Sequence, residues 1–96
     1  MNGAQVLEQL ALSKPTLVAR FGVTGLALFG SMVRDAARVD SDIDILVSFD
    51  GPATSERYFG VQFFLEDLLG RPVDLVTDRA LRLELRPSIE KEAVDV

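Results

Sequence analysis

Ninety-six residues, 48% hydrophobic and 26% charged, are one domain's worth of chain with a single small core, which speaks against wholesale disorder and against separate substrate and catalytic domains. The absence of Cys and His removes disulfides, thiolate and imidazole metal sites and the Ser-His nucleophile pair, leaving carboxylate, hydroxyl, Arg, Lys and backbone chemistry. A net charge of −5 disfavours binding to a nucleic-acid backbone through the overall field.

The first segment, Gln5 to Leu12, has Val6, Leu7, Leu10 and Ala11 at helical spacing. Glu8 and Gln9 interrupt its apolar run, so it does not read as a signal peptide. No apolar run approaches the roughly 20 residues of a membrane span, and a soluble cytoplasmic protein is expected. Ser13 before Lys14-Pro15 reads as an N-cap followed by an early-turn proline, which predicts a second short helix from Thr16 to Phe21, ended by Gly22.

Val23 to Phe29 is short and apolar and runs into Gly30-Ser31, as a buried strand entering a tight turn would. Met32 to Ala37 is predicted as a helical turn and Val39-Asp40-Ser41 as loop. From Asp42 to Phe49 the residues alternate. Ile43, Ile45, Val47 and Phe49 share one face, with Asp42, Asp44, Leu46 and Ser48 on the other, which is the period of a strand. Asp50-Gly51-Pro52 ends it.

Tyr58 to Leu69 carries the strongest helical pattern, with Tyr58, Val61, Phe64, Leu65, Leu68 and Leu69 on its core face and Gly70 as its stop. Phe59 and Phe63 fall off that face and are either covered by the C-terminal segment or free for a partner. Val73 to Thr77 is a third strand, and Pro87 to Val94 a terminal helix with Ile89, Ala93 and Val94 facing inward. Arg79, Arg82 and Arg86 read as a solvated basic face. The order implies an α/β fold, with a small mixed β-sheet flanked by helices.

Three features carry chemistry. Gly30-Ser31 ends a strand and opens a helical turn, where a glycine admits close approach and free N–H groups can face an anion. Asp42 and Asp44, two apart on a strand, point to the same face, and neighbouring carboxylates repel unless a cation sits between them. Asp74 joins them if its strand lies beside theirs. Three carboxylates can hold two Mg²⁺ ions about 3.5–4 Å apart, the spacing used in nucleotidyl transfer.

Gly30-Ser31, ten residues, then Asp42-x-Asp44 is similar to the GSx10DxD signature of the nucleotidyltransferase superfamily. Its four fixed positions would match such a chain by chance on the order of once in a thousand. The stretch from Leu68 to Val76, with Asp74 inside it, resembles the third-carboxylate region of the minimal nucleotidyltransferases, and the resemblance spans nearly the whole chain. It implies a DNA polymerase beta-like fold over residues 1–96. It also implies the role of antitoxin to a HEPN-domain ribonuclease toxin, through transfer of AMP from ATP onto a tyrosine hydroxyl of that partner.

Carried over by motif position, Gly30 and Ser31 would hold the triphosphate and Asp42, Asp44 and Asp74 the metals, with Asp74 helping to deprotonate the hydroxyl. Family members often read Gly-Ser-Arg-x-Arg-Gly where this chain has Gly30-Ser31-Met32-Val33-Arg34-Asp35. Arg34 is retained as the candidate phosphate contact, while the first arginine and the second glycine are replaced. A runner-up reading is a non-catalytic antitoxin that acts by contact alone. A small-molecule nucleotidyltransferase is disfavoured, since no second domain is expected to hold the acceptor.

Overall fold

The computed structural model describes residues 1–34, 41–81 and 86–96, and for Arg86 the backbone alone. Helix α1 spans Gly3–Phe21. Asn2 caps it through a reciprocal pair: its side chain accepts from Gln5 N, and Gln5 Oε1 accepts from Asn2 N, both at 2.9 Å. The predicted break at Ser13 does not occur. Ser13 is buried and its hydroxyl donates to Leu10 O at 3.2 Å, so it does not cap a new helix. Pro15 inside a helix costs about 3 kcal/mol. Full burial of Val6 and Leu10 before it and Leu17 after it contributes about 1.5–3 kcal/mol each, which carries the helix through. Gly22 ends it in the left-handed region at φ 72°, as the sequence predicts.

Strand β1, Val23–Phe29, matches its predicted bounds, and β2 covers Ile43–Phe49, one residue shorter than expected. Between them Gly30–Met32 forms a single 3-10 turn, beginning two residues before the helical turn predicted from Met32; residues 35–40, with Ala37, Val39 and Asp40 among them, lie outside the described residues. Helix α2 runs Ser55–Leu69, three residues longer at its start because Thr54 caps it by accepting from Arg57 N at 3.2 Å. Gly70 closes it at φ 68°, and β3 is Val73–Thr77 as predicted. The last segment differs. Helix α3 stops at Glu92 (Arg86–Glu92), and Val94–Asp95 forms a fourth strand, β4.

The sheet order is β3-β2-β1-β4, with β2 and β3 parallel and the other two pairs antiparallel. Alternation sorts its two faces. Leu26 and Leu28 of β1 lie opposite Val47 and Ile45 of β2, while Ile43 and Ile45 lie beside Val73 and Leu75 of β3. These side chains form one core with Val6, Leu10 and Leu17 of α1 and Val61, Leu65 and Leu69 of α2. Leu68, expected in that core, is exposed one step around α2, and Val94, expected to face inward from a helix, is exposed on the edge strand. Ile89 and Ala93 are partly buried, whereas Arg79 is exposed as expected. Phe59 and Phe63 are exposed as their positions predict.

Helix α2 also seals one border of the sheet. In the parallel pair, Ile43 N donates to Pro72 O and Asp78 N to Val47 O, so the even residues of β3 face β2 and the odd residues face outward. Three side chains spaced four apart on α2 meet those outward groups. Tyr58 donates to Leu75 O at 2.5 Å, Gln62 to Val73 O at 3.3 Å, and Glu66 accepts from Val73 N at 2.9 Å.

Candidate active site

The opposite sheet face carries the chemistry. Phe29, at the end of β1, pairs with Asp44 of β2, and Asp44 pairs with Asp74 of β3. Asp74 therefore lies beside Asp44 on the same sheet face, while Asp42 precedes the strand. Gly30 follows Phe29 at φ 78°, a conformation side-chain-bearing residues rarely adopt. A Cβ on Gly30 would stand 2.1 Å from Asp44 Oδ2. The absent side chain is thus the space the Asp44 carboxylate occupies. The turn then closes on itself, since Val33 N and Arg34 N both donate to Gly30 O, at 3.1 and 3.2 Å.

Asp44 is half-buried, and its carboxyl is pushed up to about 6. Loss of water is the largest cause, followed by the charges of Asp74 and Asp42 and by a side-chain hydrogen bond to Asp74; the Arg34 charge pulls the other way. Asp42 is exposed just before β2, and Asp74 is exposed on β3. The Arg71 guanidinium donates to Ser41 O and ties the start of β3 to the residue before Asp42. Ser31 is half-buried beside Gly30.

Among the described residues, no three acidic side chains converge on a point where one ion could sit. The donor chemistry nevertheless suits a hard cation. Every group is a carboxylate oxygen, and Asp44 and Asp74 lie side by side on paired strands, so two acids crowd one another. Mg²⁺ is commonly held by one or two carboxylates plus substrate phosphates, so a closed protein cage is not required.

Arg34 is exposed and forms an ion pair with Glu92 of α3, Nη1 to Oε1 at 2.5 Å. Glu92 and Arg71 escaped the sequence reading as site neighbours. Glu92 lies in a segment whose strand ending was not legible, and Arg71 acts on a backbone carbonyl, which leaves no pattern in side chains.

The nucleotidyltransferase domain family profile matches residues 12–96. Protein adenylyltransferase MntA of Thermococcus cleftensis is 39% identical over 87 residues, covering 91% of this chain and 88% of that protein. A solved structure provisionally called a minimal nucleotidyltransferase superposes with a TM-score of 0.82 at 35% identity, over 100% of this chain and 97% of that one. A tri-AMPylated Shewanella oneidensis HEPN toxin in complex with MNT antitoxin shares the fold, with a TM-score of 0.60 at 21% identity over 98% of this chain and 67% of that one. The chain belongs to the nucleotidyltransferase domain family. Within it, the chain is a minimal nucleotidyltransferase, similar to the protein adenylyltransferases, and it is an enzyme. No helix among the described residues is long and apolar enough to cross a membrane.

Proposed function

We propose that this chain is an antitoxin that transfers AMP from ATP to a tyrosine hydroxyl of a HEPN-type ribonuclease toxin, with Mg²⁺ at Asp42, Asp44 and Asp74. The observation that carries this reading is the Asp44–Asp74 pair lodged against the side-chain-free Gly30. The AMPylated HEPN toxin held by a protein of the same fold supports the partner class and the group transferred.

In this reading the Gly30–Ser31 turn presents backbone and hydroxyl donors to the triphosphate, and Arg34 adds a charge-assisted contact. Mg²⁺, when bound, would neutralise phosphate charge and favour the ionised form of the attacking hydroxyl. The tyrosine oxygen forms a bond to the α-phosphorus, the bond from that phosphorus to the bridging oxygen breaks, and pyrophosphate leaves. Asp74, the exposed member of the pair, accepts the phenolic proton. Incubating the HEPN partner with this chain, ATP and Mg²⁺ tests the proposal. Mass spectrometry is expected to show AMP adducts on a tyrosine. An unmodified partner that is nevertheless inhibited would favour the contact-only antitoxin, the reading to which the altered Met32 and Asp35 positions belong.

Nucleotide binding has a separate readout. Mg²⁺ with a non-hydrolysable ATP analogue is expected to raise the melting temperature well beyond Mg²⁺ alone, because the phosphates complete the metal shell. At a hundredfold excess over Kd the gain is about 2.7 kcal/mol, or roughly 10–20 °C for a chain this size. A melting temperature indifferent to both ligands at millimolar levels would count against catalysis.

The toxin is expected to dock on α2. Phe59 and Phe63 stack at 6.1 Å between ring centroids and are 48% and 63% exposed, whereas the neighbouring Phe21 and Phe64 rings lie under the Arg20 guanidinium. Truncating a true aromatic anchor costs about 2 kcal/mol or more. A Phe59→Ala, Phe63→Ala double variant should therefore bind the toxin at least about tenfold more weakly. Its melting temperature should barely move, since no core volume is lost. Wild-type affinity in a calorimetric titration would remove α2 from the interface.

A further inference from the structure

We propose that Glu92 is a positioning residue for nucleotide binding, holding the Arg34 guanidinium at the rim of the Gly30–Ser31 turn so that it meets the triphosphate already oriented. The inference rests on the proposed nucleotidyl transfer and adds to it a residue outside the signature.

Both members of the pair are fixed to the same end of the sheet. Arg34 N donates to Gly30 O, which places Arg34 one turn beyond β1. Glu92 ends α3, two residues before Val94, and Val94 pairs with Leu28, itself two residues before Gly30. Val96 N then donates to Leu26 O at 3.0 Å, so the segment carrying Glu92 is pinned along β1. The two side chains meet across 58 positions of sequence. Glu92 is the more buried, at 24% exposure against 57% for Arg34. One partner is anchored and the other still faces solvent. A guanidinium has five N–H donors in a fixed fork, so an anion on one edge leaves room for a phosphate on another.

Two alternatives fail on physical grounds. Glu92 could be a competitor that withholds Arg34, but an exposed ion pair is weak beside a bidentate arginine–phosphate contact. It could be an ordinary surface pair, but Arg34 is tied through its backbone to Gly30 O, in the turn that packs against the Asp44 carboxylate. Held by Glu92, the guanidinium stays at the rim and its rotamer freedom is already reduced before the nucleotide arrives.

The test is calorimetric titration of Mg²⁺ plus a non-hydrolysable ATP analogue into wild type, Glu92→Gln, Arg34→Ala and the double variant. Glu92→Gln is expected to bind about 3–10-fold more weakly with an unchanged melting temperature. In the Arg34→Ala background the same substitution should change affinity by less than about twofold, because the cycle isolates what Glu92 does through Arg34. Glu92→Asp keeps the charge and should bind closer to wild type than Glu92→Gln, which separates positioning from a loss of fold. Binding by Glu92→Gln as tight as wild type, or tighter, overturns the proposal. So does an equal loss in both backgrounds, or equal weakening by Asp and Gln. If wild type itself binds no nucleotide, the nucleotidyl-transfer reading falls, and the role of Glu92 with it. If wild type binds and Glu92→Gln is silent, only the role of Glu92 falls.

Discussion

Asp44→Asn is expected to melt higher than wild type at pH 7.5 and to transfer no nucleotide. The two effects come from one carboxylate. Asp44 is raised in the folded chain to about 6 by lost hydration and by Asp74 and Asp42. The native state therefore holds a proton between about pH 4 and 6 that the unfolded chain has released. That contribution is complete below the unfolded value and is lost as pH rises through 6. At pH 7.5 the ionised group is a burden on the apo fold, about 1 kcal/mol after discounting for the solvent that reaches it. Asparagine removes the burden, so the variant should gain about 4–8 °C and show a flatter stability profile from pH 5 to 8. Asp42→Asn is expected to abolish transfer as well while staying folded, since it removes one of the repelling charges around Asp44. Retained AMP transfer by Asp44→Asn with Mg²⁺ present would refute the assignment, and a lower melting temperature at pH 7.5 would refute the electrostatics.

Gly30→Ala is the second substitution of large effect. The backbone there is left-handed, which costs a non-glycine residue roughly 1–2 kcal/mol. The new methyl would also stand 2.1 Å from Oδ2, 2.9 Å from Cγ and 3.1 Å from Cβ of Asp44. Rotating the carboxylate clears only the first contact, so the whole side chain or the strand beneath it must shift. A displacement of about 1 Å at a reacting group can cost a hundredfold in rate. Transfer is thus expected to fall about a hundredfold or more, with a stability loss of about 1–3 kcal/mol. Transfer within threefold of wild type would mean that Asp44 does not act from where it lies.

Much of this was legible in one dimension. The period-two pattern of Ile43, Ile45 and Val47 put Asp44 on the face opposite the core, and short apolar strands bounded by glycine and proline fixed β1 and β3. Three things were not. Pro15 is punctuation locally, but burial of Leu10 and Leu17 on either side of it overrides the break. Strand β4 has two residues and an exposed valine, too little for any periodicity, and it exists because β1 has an open side. The Arg34–Glu92 pair depends on β4, so it was hidden for the same reason. Residues off the core face of α2 could be read because a helix this long fixes the angle of each position.

The stripe of Tyr58, Gln62 and Glu66 has a consequence for self-association. A β-sheet with two open borders can recruit a strand on each side and grow without limit, which is the route to fibres. Here β3 already spends three of its outward backbone groups on α2. The remaining border is β4, two residues long and ending in the exposed Asp95. Strand addition at β3 would first have to displace those three bonds, which disfavours open-ended growth from that side.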